Sequence, residues 1–203
     1  MHSRLLAVAA CAMVLLAAGY ASAEPGSRSS RPGSTTAPTT TAATMPAPLS
    51  NFLAMFTAVP RTIVSYPGSH KPGTIIVSTG ERRLYLVLGN GQAMKYGIGV
   101  GRDGFTWSGT ATITAKREWP DWTPPDEMLK RRPDLPRHMV GGPDNPLGAR
   151  AMYLGDTQYR IHGSNEPHTI GTATTSGCIR LTNDDVIDLY NRAKIGATVI
   201  VQR

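Results

Sequence analysis

Hydrophobic positions are unevenly spread along this chain. An apolar run occupies Leu5–Ala18, and then Glu24–Ser50 carries Ser, Thr, Pro, Ala and Gly with no apolar periodicity. From Thr74 the pattern changes to short apolar bursts bounded by Gly, Pro and Asn: Thr74–Val77, Leu84–Leu88, Ala93–Val100, Ala111–Lys116, Ala151–Leu154, Gln158–His162 and Ala197–Gln202. Bursts of this length, rich in β-branched and aromatic residues, predict strands. Gly89-Asn90-Gly91 is a hairpin signal, and Gly155-Asp156 suggests a second hairpin. Only one stretch has helical spacing: Val186, Leu189, Tyr190 and Ala193 share a face. Thr182 or Asn183 can cap it, Thr182 with Asp185 approximates a capping box, Arg192 and Lys194 suit its C-terminal end, and Gly196 can terminate it. Asp184, Asp185 and Asp188 fall opposite the apolar face and read as solvated charges. Pro120–Pro146 is crowded with proline, glycine and charge and predicts a long ordered loop, a lid or binding loop. The fold class is mainly β, with one clear helix near the C-terminal end.

The remaining regions set the organisation. Arg4, the apolar run and Ala21-Ser22-Ala23 have the order of a signal peptide over residues 1–23, which predicts export to the periplasm or cell envelope. The run is short for a membrane-spanning helix, so contact with the membrane is expected only through this segment. Residues 24–50 cannot bury enough surface to offset ordering and read as a flexible linker. Residues 51–72 read as a lead-in, where Phe52, Leu53 and Phe56 form a short helix or pack on the domain. The folded domain is expected over residues 73–203. The net charge of +7 is scattered, and Lys130-Arg131-Arg132 is the one tight basic run. That distribution lacks the basic stripe of a nucleic-acid binder. It fits a solvated basic face or attraction to an anionic envelope polymer.

Candidate chemistry concentrates on one thiol. The chain has two cysteines, and Cys11 lies in the expected signal segment. Cys178 would then be alone in an oxidising compartment, exposed to damage and without a disulfide partner. It sits in Thr175-Ser176-Gly177-Cys178-Ile179-Arg180, downstream of Ile161-His162-Gly163. A buried small hydrophobe is the plain reading of such a cysteine. A thiolate nucleophile with His162 as base is the chemical one. Gly177 allows close backbone approach, and the start of the helix with Arg180 would lower the thiol pKa. His168 competes as base but sits in a loop; His70 and His138 carry no signal. His162, His168 and Cys178 are too few and wrongly spaced for zinc, so no metal site is expected. Gly99–Gly104 matches a dinucleotide fingerprint but leads into a strand, so its glycines are assigned to turns. Trp107, Trp119 and Trp122 pack in the core or wall a peptide cleft.

Ile161–Pro167 followed by Ser176–Asn183 resembles the L,D-transpeptidase catalytic domain of bacterial cell-wall enzymes, as do Gly141–Arg150 and Gly73–Leu88. The resemblance implies a β-rich sandwich with the cysteine in a groove under a loop. It also implies attack on the bond between the third residue of a peptidoglycan stem peptide and its terminal D-Ala. In that scheme Cys178 forms a thioester and releases D-Ala. An amine then resolves the thioester, giving 3→3 cross-links or attaching an envelope protein to the wall. The resemblance implies no metal or organic cofactor. The roles that carry over are Cys178 as nucleophile, His162 as base and then acid, and the Gly163 carbonyl as the orienting group. Backbone amides near Gly177 and Cys178 would form an oxyanion hole. Arg180 would position the loop or meet a substrate carboxylate. Ser176 stands where a strict form of the motif has a second histidine, which removes a side-chain proton role there. Hydrolysis at the same site would make a carboxypeptidase. A non-catalytic wall-binding module and a redox-sensing thiol are the alternatives from other classes.

Overall fold

The computed structural model describes residues 59–203. The expected signal segment, the linker and the part of the lead-in before Val59 lie outside the described residues. Eleven strands and two α-helices follow in chain order among the described residues. They are β1 (Thr62–Ser65), β2 (Ile75–Ser78), β3 (Arg83–Gly89), β4 (Gln92–Gly97), β5 (Val100–Gly101), β6 (Gly109–Glu118) and α1 (Asp126–Arg131). Then come β7 (Arg150–Leu154), β8 (Arg160–His162), β9 (Ala173–Thr175), β10 (Ile179–Arg180), α2 (Asn183–Arg192) and β11 (Thr198–Gln202).

Nine strands hydrogen-bond in the order β1-β4-β3-β2-β11-β6-β7-β8-β10, and β5 pairs separately with β9. The all-apolar stretch Ile75-Ile76-Val77 becomes β2, buried throughout, between antiparallel β3 and parallel β11. β3 and β4 form the predicted hairpin, with Asn90 and Gly91 both at positive φ as an Asn-Gly turn requires. β6 is the hinge of the architecture. Its first half pairs with β11 and its second half with β7, and the register shifts between Ile113 and Ala115. A bulge bends a strand and strengthens its twist. Here it carries one series of strands around a shared core in which Ile75, Leu84, Tyr96, Ile113, Leu154, Ile161 and Ile179 are all buried.

α2 packs on this core through Val186 and Leu189, which are fully buried. Thr182 Oγ1 accepts from Asp185 N–H at 3.2 Å, the expected cap. At the other end Lys116 of β6 donates through Nζ to the Tyr190 and Ala193 carbonyls, at 2.5 and 2.8 Å. A cation on the last carbonyls answers both the unpaired acceptors and the helix dipole.

Three expectations need correction. Thr62–Ser65, read as lead-in, is an edge strand on β4. Its Ile63 is 54 % exposed, so it adds backbone pairing rather than a core stripe, and no periodicity marks it. The long loop contains a second, short helix, α1, with no buried residue. Asp185 and Asp188 are not simply solvated. Arg61 reaches Asp185 at 3.2 Å, and the buried Tyr96 hydroxyl donates to Asp188 at 2.7 Å.

Candidate active site

β8 and β10 run parallel, with Ile179 beside Ile161 and Arg180 beside His162. Side chains alternate across a strand. Ile161 and Ile179 therefore enter the core, at 0 % and 2 % exposure. His162 and Arg180 share the opposite face, and the same alternation carries Arg160 and Cys178 onto it. Strand pairing thus makes neighbours of a histidine and a cysteine that are distant in sequence.

His162 is buried, and its Nδ1 lies 2.6 Å from the Gly163 carbonyl. A carbonyl can only accept, so Nδ1 carries the proton and Nε2 keeps a lone pair. Burial, then the charge of Arg180, pushes the imidazole pKa down to about 3, with Arg160 adding to the effect. Hydrogen bonding to the Gly163 and Leu147 backbone opposes this. The ring is a neutral base at neutral pH.

Cys178 is half-buried, and its Sγ donates to the Gln158 carbonyl at 3.8 Å. Burial pushes the thiol up, against hydrogen bonding from Arg160 and the charges of Arg160 and Arg180. The expected lowering by Arg180 and the helix start is therefore outweighed by desolvation. α2 begins only at Asn183, and its first-turn amide at Asp185 is taken by Thr182. Thiol and imidazole both rest in their neutral forms.

The turn before the thiol is tightly determined. Gly177 has φ of +106°, and a Cβ there would fall 2.5 Å from Tyr159 Cε1. Thr175 Oγ1 accepts from Gly177 N–H at 3.2 Å and donates to the Cys178 carbonyl at 2.7 Å. The Gly177 amide is thus turned into its own loop. Trp107 Nε1 donates to the Gly177 carbonyl at 2.9 Å, and its ring stacks on Tyr159 at 4.7 Å. Trp107 is a site wall, while Trp119 is 43 % exposed. Ser176 is half-buried beside Gly177. The glycine run at 99–104 buttresses the site: Gly99 exchanges backbone hydrogen bonds with Arg180 at 2.8 and 2.9 Å, and β5 holds β9.

Arg180 donates to Glu166 Oε2 and to Thr169 Oγ1, both at 3.2 Å, and so fastens β10 to the loop after β8. That loop carries His168, exposed on the 3₁₀ turn Pro167–Thr169. Asn183, offered by the sequence as an alternative cap, has another role, since Thr182 caps the helix. Its Oδ1 accepts from Ala149 N–H at 2.9 Å and Ser164 N–H at 3.3 Å, joining the long loop to the loop after β8. Its place directly after the Thr182 cap was the available signal. Arg160, Gln158 and Thr175 escaped sequence reasoning, because their roles depend on partners that only the folded chain supplies. The long loop closes on itself, with Asn145 bonding the Met139 and Val140 carbonyls and Leu147 N–H. It lays buried Leu147 beside His162.

The profile of the YkuD family, described as the L,D-transpeptidase catalytic domain, matches residues 72–201. The chain belongs to this L,D-transpeptidase family. "Probable L,D-transpeptidase ErfK/SrfK" of Escherichia coli (strain K12) is 37 % identical over 134 residues, 62 % of this chain and 42 % of the relative. "Probable L,D-transpeptidase YbiS" of the same organism is 34 % identical over 134 residues, 62 % of this chain and 43 % of the relative. The chain therefore spans less than half the length of these L,D-transpeptidase relatives. An L,D-transpeptidase from Mycobacterium smegmatis shares the fold with a TM-score of 0.52 at 18 % identity, over 64 % of this chain and 58 % of that one. The mainly β fold class expected from the sequence is the fold observed.

Proposed function

We propose that this chain is an exported L,D-transpeptidase acting on peptidoglycan stem tetrapeptides. The observation that carries the reading is the one thiol of the described residues, directly before β10, with a buried neutral imidazole on the parallel neighbour β8. His162 Nε2 takes the Cys178 proton as sulfur attacks the carbonyl of the third stem residue. Because Thr175 takes the Gly177 amide, the oxyanion falls to the Cys178 amide in this scheme. The C–N bond breaks, the imidazolium returns its proton to the departing D-Ala amine, and a thioester remains. An acceptor amine then forms a new C–N bond as C–S breaks, again losing its proton to His162. The Gly163 carbonyl holds the tautomer that this requires. A stem-peptide amine as acceptor gives a 3→3 cross-link, and an envelope-protein amine gives wall attachment. The family membership supports peptidoglycan as substrate. The signal-like segment at residues 1–23 supports export.

The test is mass spectrometry of a disaccharide-tetrapeptide incubated with the chain and with Cys178→Ala. Cross-linked dimers and free D-Ala, both lost in the variant, are the expected result. Tripeptide without dimers would move the assignment to an L,D-carboxypeptidase. No product from either sample would favour a wall-binding module.

A further inference from the structure

Three arginines of the described residues have a buried Nε without a hydrogen-bond partner: Arg150, Arg160 and Arg180. Two of them hold a carboxylate through another guanidinium nitrogen. Arg150 pairs with Glu118 at 3.1 Å and Arg180 with Glu166 at 3.2 Å. Among the described residues Arg160 pairs with no carboxylate. Its Nη1 donates to the Gln158 carbonyl at 3.3 Å, its side chain also reaches the Cys178 thiol, and its guanidinium lies over the Tyr153 ring at 5.1 Å.

That location is specific. The Gln158 carbonyl which receives Arg160 Nη1 also receives the Cys178 thiol. Arg160 is two residues before His162, on the same face of β8. A half-buried guanidinium beside the nucleophile, with donors left over and no anion, is an incomplete ion pair. Such a group is costly unless something negative joins it. Arg180 cannot meet a substrate carboxylate as readily, since Glu166 and Thr169 already occupy it.

We propose that Arg160 is a specificity-determining residue that receives the carboxylate of the terminal D-amino acid in the donor peptide. This rests on the transpeptidase reading above. The chemistry selects the ligand. In the scissile amide the leaving residue carries its carboxylate two bonds from the nitrogen that departs. The sulfur must sit against the adjoining carbonyl carbon, so a cation next to the sulfur meets that carboxylate before any other anionic group of the stem. Guanidinium and carboxylate can form two parallel charge-assisted hydrogen bonds. Arg160 thereby reads the end of the peptide and aligns the C–N bond with Cys178.

The experiment is a cycle between Arg160→Gln and a tetrapeptide whose terminal D-Ala is a carboxamide. With the unaltered chain, amidation lowers kcat/KM for release of the fourth residue roughly 10- to 100-fold, the range for one charged hydrogen-bond pair. Arg160→Gln lowers it by a similar factor on the free acid, and amidation then changes the variant's rate by less than about twofold. Multiplying effects, or indifference of the unaltered chain to amidation, would overturn the proposal, the latter without needing a variant. A second readout needs no peptide. The rate of Cys178 alkylation by iodoacetate relative to iodoacetamide falls about 3- to 10-fold in Arg160→Gln, because the anionic reagent loses its cation. An unchanged ratio would also overturn it. Failure of the unaltered chain on both peptides with a changed ratio would sink the transpeptidase reading and the D-Ala assignment built on it, leaving only an anion site at Arg160.

Discussion

The two faces of the β8–β10 pair are made from alternate residues of the same short strands, yet they obey different rules. On the inner face Ile161 and Ile179 are held by dispersion and exclusion of water, and their neighbours are other aliphatic side chains. On the outer face Arg160, His162, Cys178 and Arg180 are partly or wholly withdrawn from water, and each polar atom needs a named partner. Those partners come from Gly163, Gln158, Glu166 and Thr169. A hydrophobic face tolerates exchange of similar shapes. A buried polar face does not, because each lost partner leaves a desolvated group behind. The site is thus the more demanding side of a structure whose stability is supplied from the other.

The sharpest way to separate the faces is Cys178→Ala. It should abolish D-Ala release while the melting temperature stays within a few degrees of the parent. A large fall in thermal stability would mean that the thiol is chiefly a packing element. His162→Gln is next. Loss of the base should cost roughly 10²- to 10⁴-fold in kcat/KM. The same variant tests the linkage between the buried ring and stability. Its native pKa near 3 lies below the unfolded value of about 6.5. The unfolded state then binds the extra proton between these values, so stability should fall as pH drops from 6.5 towards 3 and level off above 6.5. Denaturation curves in which His162→Gln keeps the full slope would assign it to other groups.

From the inner face, Ile161→Ala should cost about 2–5 kcal/mol in chemical denaturation. Activity per folded molecule should fall far less than in the outer-face variants. The smallest effect concerns the neutral resting pair. With the thiol raised by burial, iodoacetamide alkylation should climb about tenfold per pH unit up to pH 9. A plateau reached near pH 6 would instead reveal a preformed thiolate–imidazolium pair.

Much of the inner face was legible in the sequence. Ile75-Ile76-Val77, Leu84–Leu88 and the Val186/Leu189 stripe announce themselves because burial writes a period into the chain. The edge strand at Thr62–Ser65 wrote none, since its contribution is backbone pairing. On the outer face, Cys178, His162 and Arg180 were legible through the family's motif. Their electrostatics were not, because desolvation depends on the loop that lays Leu147 beside the ring. Arg160 looked like an ordinary polar member of an alternating strand. Its distinction is the lack of a carboxylate, and that becomes visible only when its neighbours have found theirs.

Both ends of α2 are tied to parts of the chain remote in sequence, Asn183 to Ala149 and Ser164 at one end, Lys116 to the last carbonyls at the other. The helix is in effect a strut fixed at both ends across the strands that bear the site. Its amides should then exchange with deuterium at the same slow pace as those of Ala149 and Ser164, because the helix and the catalytic cleft can open only together.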